Sequence, residues 1–182
     1  MKSVLTIACY IGVLSWLLAL VESIGVLLFY PIVYKNGFRV FNENEAIPSP
    51  TSDKIGKTIV TDGGKFKIIS NELCLFRINF PFFTFRIHTP FPIKGTISWK
   101  NGIASVEGRI PVFSSVFFLA WLTGCTAAGT LGMESEGLSG ITFLLLGWVF
   151  ASAIYLFSVP LEIRRAREII NEIASCLTSR SS

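Results

Sequence analysis

Three long apolar stretches constrain this chain more than any other feature. Residues 3–34 carry one charge, at Glu22; residues 110–133 and 137–161 carry none. Each is longer than the roughly 20 residues a helix needs to cross about 30 Å of hydrocarbon. The rest of the composition agrees: 51% of the 182 residues are hydrophobic and only 15% charged, outside the range of ordinary soluble domains. A signal peptide is the alternative for the first stretch. Its apolar character runs past an h-region of about 7 to 15 residues, and no A-x-A-like site follows, which favours an uncleaved span.

The expected class is therefore a membrane α+β protein. It has transmembrane helices over 3–34, 110–133 and 137–161 and a small antiparallel β domain over 57–110, between spans one and two. Residues 35–56, with Pro48 and Pro50, read as a linker, and residues 162–182 as an amphipathic helix and tail.

Orientation follows from the bases beside the spans. Lys35 and Arg39 follow the first, Lys100 and Arg109 precede the second, and Arg164, Arg165 and Arg167 follow the third. The turn "MESEG" between spans two and three holds two glutamates and no base. The positive-inside rule then puts the β domain and the C-terminus in the cytoplasm, in a bacterial inner membrane. Four cysteines, with Cys74 alone in the β region, offer neither a disulfide framework nor zinc spacing and fit a reduced compartment.

Within 57–110 the strand signals are "KTIVT", a turn at "DGG", "KFKIIS", a turn at "NE", "LCLFRI", "FTFRI" and "GTISWKNGIASVEGRI". Asn101-Gly102 is the favoured pair for a two-residue type I′ turn. It pairs Trp99 with Ala104, Ser98 with Ser105 and Ile97 with Val106, leaving the apolar members on one face. Phe66 and Ile68 oppose Lys65 and Lys67, and Phe83, Phe85 and Ile87 oppose Thr84, Arg86 and His88. The sheet thus has one apolar and one basic face, and so few residues cannot bury the apolar face unaided. The cover on offer is 161–177, where Ile163, Ala166, Ile169, Ile170, Ile173 and Leu177 recur at helical spacing. Pro160 is expected to end the third span or bend the chain.

Candidate functional residues are few. Glu22 is the one ionisable group inside a span, and a carboxylate there costs several kcal/mol unless paired, protonated or near water. No base in the other spans can pair with it; a backbone donor, water or another chain would be required unless it lies at the interface. Gly124, Ala128 and Gly132 on span two, and Gly147 and Ala151 on span three, are four apart, a spacing that lets helices approach closely. Arg164, Arg165 and Arg167 form a basic strip suited to lipid headgroups or a partner.

A lone His88 and the absence of HExxH, GxSxG and CxxC patterns give no catalytic or metal set, and no cofactor is called for. "DGGK", Asp62 to Lys65, lacks the length of a P-loop and reads as a hairpin turn. Eleven bases against six acids between Lys35 and Arg109 are accounted for by topology and anionic lipid, so nucleic acid is not favoured. The expected function is a non-catalytic accessory, scaffold or regulatory subunit of a membrane assembly, with the bilayer and another membrane protein or a second copy as partners. The alternative is a small oligomeric ion- or proton-coupled transporter using Glu22.

Overall fold

The computed structural model describes residues 2–78 and 92–178. Among the described residues, three helices are long and apolar enough to cross a membrane: α1 (Lys2–Leu27), α3 (Val112–Glu136) and α4 (Leu138–Thr178), with a five-residue α2 (Pro31–Lys35) after the first. Helix α3 packs against both α1 and α4. Between α2 and α3, among the described residues, β1 (Phe38–Glu45), β2 (Thr58–Val60), β3 (Gly64–Ser70), β4 (Leu73–Ile78), β5 (Lys94–Lys100) and β6 (Ile103–Ile110) form one antiparallel sheet. The strand order is β1-β6-β5-β4-β3-β2. The "FTFRI" strand, with Phe83, Phe85, Ile87, Arg86 and His88, lies outside the described residues.

The β5–β6 hairpin has the expected register, Ile97 with Val106, Ser98 with Ser105 and Trp99 with Ala104. Both turn residues have positive φ, Asn101 at 53° and Gly102 at 80°, as a type I′ turn requires. Asp62 and Gly63 form the β2–β3 turn, closed by Thr61 N–H donating to the Gly64 carbonyl at 2.9 Å.

The apolar face is buried under α4. Phe66, Ile68, Phe76, Ile97 and Val106 from the sheet meet Ala166, Ile169, Ile170 and Ile173 from the helix in one core, with Phe118 of α3 and Ile154 of α4 against it. The hydrophobic core therefore runs without a break from the sheet into the apolar helices. Two glycines make room in the sheet for large rings. A Cβ on Gly95 would lie 2.2 Å from Phe76 Cζ, and one on Gly108 2.1 Å from Phe41 Cε1.

Three expectations are corrected. Residues 38–45, placed in a linker, form an edge strand of the sheet. A register shift between Arg39 and Phe41 puts these two on opposite faces although they are two residues apart, which disrupts the alternation that would have marked the strand. The first apolar helix stops at Leu27 rather than Tyr34. Phe29 turns the chain at φ 56°, and Phe29 and Tyr34 fold back with Val26 against Leu75 on the sheet's second face. The Tyr34 hydroxyl donates to the Val26 carbonyl at 2.9 Å.

Finally, α4 is one 41-residue helix running through Pro160. A proline inside a helix costs about 3 kcal/mol. Burial of Ile169, Ile170 and Ile173 on the sheet, each contributing roughly 1.5–3 kcal/mol, is enough to offset it.

Candidate functional site

Glu22 lies on α1 little more than one turn before the helix ends, and its side chain is 6% exposed. Its Oε1 accepts from Lys94 Nζ at 2.5 Å. The Lys94 side chain, on the first residue of β5, is 1% exposed. Oε1 also accepts from Val112 N–H at 3.3 Å, and Oε2 from Phe113 N–H at 3.1 Å. These are the first two residues of α3, whose N-terminal amides have no partner within their own helix and carry the positive end of its dipole. One carboxylate thus joins α1, the sheet and the start of α3. Burial pulls Lys94 below the ordinary lysine value, and the Glu22 hydrogen bond and charge oppose that pull.

The partner found for Glu22 combines one anticipated element with one that sequence reasoning missed. A backbone donor was among the expected requirements. Lys94 was not, because it lies in the sheet and nothing in its spacing from Glu22 marks the contact. Its position on the polar parity of β5, opposite Ile97 and Trp99, is the one available signal.

Around this pair, Arg77 of β4 is 6% exposed, with its guanidinium carbon 5.4 Å from the centroid of the Phe29 ring. Burial holds it below the usual arginine range, the nearby Tyr34 opposing. Arg109 of β6 donates from Nε and Nη2 to Glu107 Oε2 at 3.2 and 2.7 Å and from Nη1 to the Gly37 carbonyl at 3.2 Å.

The small-residue stripe divides between two uses. Gly132 faces Gly140 of α4, and a Cβ on Gly132 would lie 3.2 Å from Gly140 Cα. Gly147 faces Cys125, and Ala151 is buried. Gly124 and Ala128 instead line an apolar cavity of about 360 Å³ between α1 and α3, with Phe143 of α4. The tightest crossing is at Gly140, which the expected stripe omitted: a Cβ there would lie 2.2 Å from the Met133 nitrogen and 2.4 Å from the Gly132 carbonyl carbon. Gly140→Leu is therefore expected to force α3 and α4 apart and lower the thermal midpoint strongly. Gly124→Leu, with nothing within 4 Å of its Cβ, should change it little. Melting the two purified variants side by side checks the contrast.

The basic strip is engaged on the α4 side of the molecule. Arg165 pairs with the buried Glu162 at 2.9 Å, Arg164 with Glu168 at 3.7 Å, and Arg167 reaches Glu43 of β1. Arg167 thereby ties α4 to the sheet's edge strand, and Lys54, in the connection between β1 and β2, donates from Nζ to the Cys176 carbonyl at 2.7 Å. Cys74 is buried in the core, which pushes its thiol up to about 12. No protein-family model, curated protein or solved structure matches this chain.

Proposed function

We propose that the chain is a multi-pass protein of the bacterial inner membrane, with sheet and C-terminus in the cytoplasm. In this reading it works as a non-catalytic scaffold or regulatory subunit that holds a β platform at the membrane surface for another membrane protein. The insertion half of the reading is supported by the outward faces of the three apolar helices. Tyr10, Leu146 and Phe157 and their neighbours stand largely exposed, in patches far larger than a soluble monomer tolerates. Orientation is supported by Lys35, Arg39 and Arg109 at the sheet end of these helices and, in the sequence, by the acidic "MESEG" between the second and third spans.

The observation that carries the scaffold reading is the use made of Glu22. A proton-coupled carboxylate must exchange its proton with a pathway. This one is occupied by a buried ammonium and by two amides that fix the helix start, which favours a mechanical role over transport. The sheet is then held from both faces, by α1 through Glu22 and by α4 through its buried isoleucines.

Native mass spectrometry of the tagged protein, extracted from its own membrane in mild detergent, tests the function. The scaffold reading expects a stoichiometric second polypeptide. A homo-oligomer alone would contradict it and return transport to consideration. A cysteine at Ser52, in a background without the native cysteines, should resist an impermeant maleimide in intact cells; labelling would reverse the orientation.

A further inference from the structure

One row of the sheet is made of cations. Cross-strand register places Lys65 opposite Arg77, Arg77 opposite Lys94, Lys94 opposite Arg109 and Arg109 opposite Arg39. Five basic side chains from five adjacent strands thus lie in line on the face away from the α4 core. They occupy the end of the sheet from which β6 passes into α3. Like charges directly opposite one another on a sheet are destabilising, so such a row calls for compensating anions. Among the described residues, Glu22 bonds to Lys94, and Glu107 to both Arg109 and Arg39.

One member of the row, Arg109, lines a cavity. About 540 Å³ lies between α1, the link from α2 to β1 and the start of α3, a size typical of small-ligand sites. Lys35 and Arg109, the latter also paired with Glu107, supply positive charge to its wall, and Leu18, Val21 and Phe113 supply apolar surface. Lys35 is exposed and makes no ion pair among the described residues. Glu22 also borders the space, but its charge is met by Lys94 and the α3 amides.

We propose that this cavity binds the phosphate headgroup of an anionic phospholipid, the phosphate between Lys35 and Arg109 and the acyl chain along Leu18, Val21 and Phe113. The proposal rests on the membrane-spanning reading, since the cavity beside the start of α3 would then be level with the headgroups. It does not depend on the scaffold role. Binding would make a lipid part of the joint between sheet and helices.

The test is native mass spectrometry of the full chain in detergent, titrated with phosphatidylglycerol or with phosphatidylcholine of the same acyl chains. One phosphatidylglycerol should be retained in preference to phosphatidylcholine. Lys35→Gln should weaken it about fivefold, the effect of one cation near a headgroup. Arg109→Gln should weaken it at least as much, whereas Lys57→Gln, at an exposed position before β2 on the far edge of the sheet, should not. Equal retention of the two lipids, or an unchanged preference in Lys35→Gln, would overturn the proposal. Full displacement by millimolar inorganic phosphate would overturn it in favour of a free anion. Failure of the membrane reading shows separately, as a protein that stays monodisperse without detergent.

Discussion

Glu22→Ala is expected to destabilise the folded protein by about 3–5 kcal/mol, the usual cost of removing one partner of a buried ion pair, with roughly 1 kcal/mol more for the lost acceptor at the start of α3. Lys94→Ala should cost less, because the remaining carboxylate still accepts from Val112 and Phe113 and faces the helix dipole. Glu22→Leu combined with Lys94→Met should recover much of the loss, since it removes both buried charges while keeping similar volume.

The deficit of Glu22→Ala should also depend on pH. Without the carboxylate, desolvation and the Arg109 charge act unopposed on Lys94 and hold its folded value further below the unfolded one. The unfolded chain then binds the extra proton across that window, so stability rises as pH climbs through it. The deficit is therefore greatest at neutral pH and shrinks toward the ordinary lysine value. Thermal melts of the single and double variants in detergent, at neutral and alkaline pH, check the order and the sign.

Loss of the extension of α4 should have the second large effect. Ile169, Ile170 and Ile173 are buried against the sheet, and at roughly 1.5–3 kcal/mol each they rival the whole stability of a small domain, about 5–15 kcal/mol. Truncation after Leu161 is expected to leave the three apolar helices in the membrane fraction and the sheet open to protease. Ile169→Asp is a sharper version. Its side chain lies over Gly63 and Gly64 at the entry to β3, where added Cβ atoms would come within 3.0 and 2.5 Å of it, so a carboxylate there would be buried among apolar side chains at the desolvation cost of a charge. Limited proteolysis of both variants should cut within residues 57–110 under conditions that spare the unaltered protein. Equal resistance would mean that the helix does not cover the sheet.

Where the physics is local, the sequence carried it. The Asn101-Gly102 pair and the alternation about it set the β5–β6 register, and the spacing of Ala166, Ile169, Ile170 and Ile173 marked the helix face that covers the sheet. Where two distant segments decide the outcome, the signal was lost. Strand β1 carries polar residues because it is an edge, and its bulge hides its period. Pro160 suggested a break because the tertiary burial that offsets it comes from strands far away in the chain. Glu22 stood out as a lone acid among apolar residues, yet its partner is 72 residues on, at a lysine indistinguishable from other juxtamembrane bases. The cation row is visible only once strand order and register are known, since its members are scattered from Arg39 to Arg109.

Sheet and apolar helices are expected to move as one rigid body, clamped by the Glu22–Lys94 pair and by α4. The most direct test is a spin-label distance between Lys100→Cys at the tip of β5 and Leu138→Cys at the far end of the helices. Both positions are exposed, and the native cysteines would be replaced. A single narrow distance distribution that broadens in Glu22→Ala is expected. A broad or multi-peaked distribution in the otherwise unaltered protein would mean that the sheet moves freely on its helices, and would contradict that rigidity.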